Sequence, residues 1–107
     1  MENNSENSAM DMVSMTIIAK SGDARSMAFG ALEAAKEGDF EKADELMKKS
    51  KESATLAHKA QTELLVNEAN GEHAEVNVLL VHAQDHLMTS MLASELIQEI
   101  ILLYKNR

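Results

Sequence analysis

The sequence has no cysteine, no proline and no tryptophan, and its only aromatic residues are Phe29, Phe40 and Tyr104. The lack of cysteine removes disulfides, thiolate metal sites and cysteine nucleophiles together. The lack of proline leaves nothing that must break a helix, because proline removes a backbone donor and clashes with the preceding turn. Basic residues are scarce, with 10 Lys+Arg against 18 Asp+Glu and a net charge of −8. The nearest approach to a basic patch, Lys48, Lys49 and Lys51, is diluted by Asp44, Glu45 and Glu52. It reads as a solvated helix face with the i,i+4 pairs Asp44–Lys48 and Glu45–Lys49. Nucleic acid is not an expected partner, since neutralising phosphates takes basic residues gathered on one face. No uninterrupted apolar run approaches the roughly 20 residues of a membrane span, so no membrane insertion is expected. The N-terminal MENNSENSAM offers neither a basic n-region nor an apolar h-region, which points to the cytoplasm.

What remains is a chain of 107 residues, 45 % apolar and 26 % charged, the balance of one compact globular domain. Residues 1–8 are polar and Asn-rich and are expected to form a flexible tail ahead of a domain over 9–107. From Met10 to about Lys36 an apolar stripe runs Met10, Val13, Ile17, Ala24, Ala28, Ala31, Ala35 at helical spacing. Ser21-Gly22 interrupts it, as a kink or as a close contact between helices where a side chain would not fit. Gly38-Asp39 reads as a helix stop followed by a new N-cap. The second stripe is Phe40, Ala43, Met47, Ser50, Ala54, Ala57, Gln61, Leu64, and Asn70-Gly71 ends it. A third helix is expected from about Ala74 to Tyr104. Three long helices with short links predict an all-α, up-down-up three-helix bundle. The eight methionines read as core filling.

The third helix carries two apolar stripes. One is Val76, Leu80, Ala83, Leu87, Ser90, Ser94, Ile97, Ile101, and the other Val78, Val81, Asp85, Met88, Leu92, Leu96, Leu103. A helix apolar nearly all round is a buried helix, and two partner helices in a small bundle do not cover both stripes. The rest of the burial has to come from other chains, so a homo-oligomer centred on this helix is expected.

The chemistry concentrates in Val81-His82-Ala83-Gln84-Asp85-His86. Asp85 interrupts an apolar stripe, and burying a carboxylate there is costly unless it is protonated, paired or bound to a metal. On a symmetry axis the same Asp85 from each subunit would converge, and oxygen-only ligation suits a hard ion such as Mg²⁺. The alternative is an aspartate that reaches solvent at the helix edge. His82 and His86, at i,i+4, share a face, with Thr89 and Ser90 one turn beyond. They fit a zinc pair, satisfied structural histidines, or a nucleophile that takes a phosphoryl group on one ring nitrogen. Spacing alone does not choose among these, and Thr89 and Ser90 are candidate donors to a bound phosphate. His58 could face His82 across the bundle, whereas His73 reads as solvated.

The segment Val78-Leu-Leu-Val-His82-Ala-Gln-Asp85-His86-Leu-Met-Thr-Ser-Met91 closely resembles the active segment of the lactose/cellobiose-type IIA proteins of the bacterial sugar phosphotransferase system. Ser21-Gly22-Asp-Ala-Arg25-Ser26, Ala34-Ala-Lys36-Glu-Gly38-Asp39-Phe40 and Glu52-Ser-Ala-Thr-Leu-Ala-His58 with Gln61-Thr62 are similar too, and the likeness runs from about Met12 to Tyr104. The resemblance implies a homotrimer of three-helix subunits. It implies that His82 is phosphorylated on Nε2 by the general phosphocarrier protein and passes the group to a cysteine of a IIB protein during disaccharide uptake. It implies that Asp85 from three subunits holds one divalent metal, Mg²⁺, per trimer, with His86 and Gln84 as further active-site residues. Leu79, Ala83 and Met88 are then candidates for a docking surface around His82. The competing reading is a non-catalytic, metal-stabilised oligomeric bundle. A two-component phosphotransfer module would instead be expected to carry a lysine and a glycine soon after the histidine, and Leu87 to Ser94 contains neither.

Overall fold

A computed structural model describes residues 4–107, with side chains from Ala9 onward. Three helices follow one another: α1 over Asn4–Lys36, α2 over Phe40–Ala69 and α3 over Val78–Lys105. They form a rod of 58 × 21 × 19 Å, the length set by a 33-residue helix rising about 1.5 Å per residue. No strand occurs among the described residues.

Both turns are built by the residues that signal them. After α1, Gly38 takes φ +81°, Gly38 N–H donates to the Ala35 carbonyl and Asp39 N–H to that of Ala34, at 3.0 and 2.9 Å. This is a Schellman ending, in which a left-handed glycine lets the chain satisfy the last carbonyls. Asp39 then caps α2 by accepting from Lys42 N–H at 3.1 Å. Gly71, at φ +86°, repeats the pattern after α2, with Gly71 donating to Glu68 and Glu72 to Asn67. Here the start of the third helix moves: residues 72–77 are not helical, and α3 begins at Val78, where the Asn77 side chain accepts from Leu80 N–H at 2.9 Å. The other end of the bundle differs as well. The tail expected over residues 1–8 is helical from Asn4, no proline or glycine being there to stop α1, and residues 1–3 lie outside the described residues.

The core is made mostly of alanine. Ala28, Ala31, Ala34, Ala35, Ala43, Met47, Ile97 and Ile101 close one end, and Ile17, Ala57, Ala83 and Leu87 the other. Small residues bring α1 close to both neighbours, and Ser50 Oγ donates to the Ala24 carbonyl at 2.6 Å across the α1–α2 contact. Within the subunit α1, not α3, is therefore the central helix, and α2 and α3 scarcely touch. The methionines do not fill this core: Met47 is buried, but Met12, Met15 and Met88 are more than half exposed. Of the two lysine pairs expected on α2, Glu45–Lys49 forms, while Asp44 instead receives Lys105 from α3 at 2.6 Å.

The two stripes of α3 separate, except that Val76 of the inner one precedes the helix and is exposed. Ala83, Leu87, Ser90, Ile97 and Ile101 are buried. Val78, Val81, Met88, Leu92, Leu96 and Leu103 stand in solvent, Val78 at 86 % and Leu103 at 70 % exposure. By length and composition α3 is also apolar enough to cross a membrane, contrary to the reading from uninterrupted runs, because polar residues are spaced along it without lowering its average far. A helix half-covered by its own bundle meets the same test.

Candidate functional site

Ala83 and Leu87 face inward from α3, in the core against Ile17 and Ala57. That register turns residues one position away toward the flanks. His82 is exposed and His86 half-buried, their rings stacked with centroids 5.8 Å apart and planes 18° apart. His86 backs onto α1 at Gly22, where a Cβ would stand 3.4 Å from His86 Nε2. The Ser21-Gly22 step is thus a close helix contact, not a kink, since α1 runs through it unbroken. Gln84 is half-buried on the α2 side, where its Oε1 accepts from Gln61 Nε2 at 2.7 Å. Gln61 itself is buried, and its amide lies 3.7 Å from Met88 Sδ.

Asp85 is exposed on the outer stripe of the single chain. With His82 it edges a shallow depression completed by Val76, Asn77, Val78 and Val81. No group of three His, Asp or Glu side chains gathers as a metal site among the described residues, so within one chain the histidine pair stands without a third ligand. Neither hydroxyl of Thr89 and Ser90 is offered at the surface beside His82: Thr89 Oγ1 donates to the Asp85 carbonyl at 2.8 Å, and Ser90 is buried, its hydroxyl without a partner among the described residues. Nor is Ala83 a docking residue, because it is fully buried and Leu79 is half-buried. The exposed apolar residues bordering the same depression as His82 are Val76, Val78 and Val81, while Met88, also exposed, lies more than a turn further along α3. His58 is exposed on α2, where its carbonyl accepts from Thr62 Oγ1 of the same helix, and its ring is not paired with His82. His73 is exposed and pairs with Glu68. Sequence reading gave Gln61 no role at the site. The available signal was its place between Ala57 and Leu64 on a buried stripe, where an amide needs a partner.

An exposed imidazole backed by a second ring and bordered by exposed apolar side chains defines the class as an all-α bundle with a histidine site on its surface. The chain belongs to the family described as "PTS system, Lactose/Cellobiose specific IIA subunit", whose model matches residues 12–105. It is 44 % identical over 96 residues to the lactose-specific EIIA component of Staphylococcus epidermidis, covering 90 % of this chain and 92 % of that one. It is 48 % identical to the N,N'-diacetylchitobiose-specific EIIA component of Escherichia coli, over 90 % of this chain and 83 % of the relative. Among solved structures, the cellobiose-specific enzyme IIA of Bacillus anthracis superposes with a TM-score of 0.86 at 49 % identity, covering 89 % of this chain and 87 % of that one. The IIA(Chitobiose)–HPr complex of the N,N'-diacetylchitobiose system superposes at 0.77 with 46 % identity, over 89 % of this chain and 92 % of that one. The chain is thus a sugar-specific IIA component of the phosphotransferase system, and the non-catalytic bundle finds no support.

Proposed function

We propose that this IIA protein is a cytoplasmic phosphohistidine carrier with His82 as its phosphorylated residue. The observation that carries the reading is the exposed His82 ring, stacked on His86 and bordered by exposed Val78 and Val81. The donor is the general phosphocarrier protein HPr, as the complex of the chitobiose relative suggests. The lone pair of His82 Nε2 attacks phosphorus, the donor's N–P bond breaks, and the donor imidazole keeps that electron pair and regains a proton as the His82 ring loses one. In the second step a cysteine thiolate of a IIB protein attacks, the N–P bond at His82 breaks, a P–S bond forms and the imidazole recovers its proton. A carrier needs little acid–base apparatus of its own, because each partner brings the rest of its transition state. The apolar surround gives both partners a face to dock on.

The working assembly is a homotrimer in which the outer stripe of α3 is covered by other copies. Asp85, exposed in one subunit but lying on that stripe, fits a shared metal only when three copies converge. Three carboxylates would then hold one hard divalent ion, Mg²⁺, whose charge offsets their repulsion. Relatives named for lactose and for diacetylchitobiose match at 44 and 48 %, which fits a disaccharide selected by the membrane component and not by this subunit.

The test is phosphoryl uptake. Incubation with phosphoenolpyruvate, the first enzyme of the system and HPr should add one acid-labile phosphate per subunit by intact mass, and His82→Ala should add none. Absence of uptake by the wild type, with both donor proteins active, would sink the carrier reading.

A further inference from the structure

We propose that Gly22 of α1 is a positioning residue for His82, acting through His86. The inference deepens the carrier reading and rests on it. Gly22 lies inside an unbroken helix and does not take the positive φ that calls for glycine, which among the described residues occurs only at Gly38 and Gly71. Glycine in a helix interior is destabilising relative to alanine, so its presence here asks for a reason in packing. The ring opposite limits what fits: a Cβ at Gly22 would stand 3.4 Å from His86 Nε2, at the near edge of ordinary contact, so alanine is just accommodated and any longer side chain would enter the ring's space. The gap lets His86 lie against the backbone of α1. His86 in turn stacks on His82, one helical turn earlier on α3. A ring held from behind restricts the orientations of the ring stacked on it, and orientation of the attacking atom is what a transfer between two proteins needs from its nucleophile. The same seat turns His86 Nε2 toward α1, while His82 is the ring left exposed.

The second helical glycine of α1 supplies the control. At Gly30 a Cβ would meet Leu46 Cδ1 at 3.5 Å, an equally close contact with no histidine involved. The experiment compares the full-length Gly22→Ala, Gly22→Ser, Gly22→Leu and Gly30→Leu variants. It measures the initial rate of phosphoryl uptake against HPr concentration, and the imidazole resonances of His82 and His86 by NMR. Gly22→Ala should stay within about twofold of wild type. Gly22→Leu should lower kcat on the order of 10- to 100-fold, the loss expected from misplacing a reacting group by about an ångström. Its KM for HPr should hold, and the ring resonances of both histidines should move. If Gly22→Leu does not fold, Gly22→Ser, one atom beyond Cβ, carries the same test with a smaller loss. Gly30→Leu should keep kcat and both resonances even if it lowers Tm as much. A folded Gly22→Leu (or Gly22→Ser) protein with wild-type kcat and unmoved His82 resonances would overturn the proposal, as would an equal kcat loss in Gly30→Leu. Failure of the carrier reading looks different: the wild type itself takes up no phosphate, whatever the variants do to the rings.

Discussion

Two buried polar side chains, Ser50 and Gln61, each reach across to another helix, and both stand at positions of a stripe otherwise made of apolar residues. Ser50 is 0 % exposed and its hydroxyl donates to the Ala24 carbonyl. Ser50→Ala removes the hydroxyl and leaves that carbonyl with only its bond inside α1, so we expect a loss of about 1 kcal/mol in urea unfolding, with uptake by His82 unchanged. Gln61 offers a sharper case because its partner belongs to the motif. Gln61→Leu keeps the volume but leaves Gln84 Oε1 half-buried and unpaired, for which we expect a loss of about 1–3 kcal/mol. A double-mutant cycle with Gln84→Leu should recover part of it, since removing both partners removes the unpaired group. At this scale the motif residues were legible by type and spacing, whereas what each one touches was not. Gln61 and Gln84 are 23 positions apart, and Gly22 and His86 further still, so only the packing of three helices brings them together. Thr89 and Ser90 show the opposite case: spacing puts both hydroxyls one turn from a histidine, but Thr89 bonds a carbonyl of its own helix and Ser90 is turned into the core.

At the scale of elements, punctuation was clearest where a residue type has only one job. Gly38 and Gly71 sit at positive φ where glycine was expected to stop a helix, and Asp39 caps the next one as expected. The start of α3 was misplaced because Ala74, Glu75 and Val76 are compatible with a helix, and the decision falls to Asn77, a better N-cap than any of them. Asn77→Ala should therefore cost about 1 kcal/mol and free the first turn of α3. The check is amide hydrogen exchange: protection at Leu80, whose N–H the Asn77 side chain accepts, should fall, while that at Leu87 holds. Because Asn77 and Val78 border the same depression as His82 and Asp85, fraying here should weaken docking and raise the KM for HPr more than it changes kcat.

For the whole molecule the decisive feature is the outer stripe of α3, where Val78, Val81, Met88, Leu92, Leu96 and Leu103 are all more than half exposed around Asp85. The stripe was legible in the sequence as more apolar surface than two neighbours can cover. Its partners were not, because in the trimer we propose they belong to other copies of the chain. Continuous apolar exposure of this kind marks an interface, and the trimer we propose would bury it. Two substitutions on the stripe then separate packing from charge. Leu92→Asp places an uncompensated carboxylate among apolar side chains, a change that buried interfaces tolerate poorly. It should shift the protein to monomer by light scattering. Asp85→Leu does the reverse: it removes the carboxylates that would repel one another and substitutes apolar volume, and such replacements of buried polar clusters are often neutral or stabilising. The Asp85→Leu protein should remain trimeric by light scattering, unfold at the same or a higher temperature, and lose the one metal per trimer that elemental analysis should find in the wild type. Chelation should destabilise the wild-type trimer and leave Asp85→Leu untouched, because only the former needs a cation to hold three carboxylates together. An Asp85→Leu trimer that kept its metal would place the ligands elsewhere, and one that fell apart would make the metal, not the apolar stripe, the source of assembly.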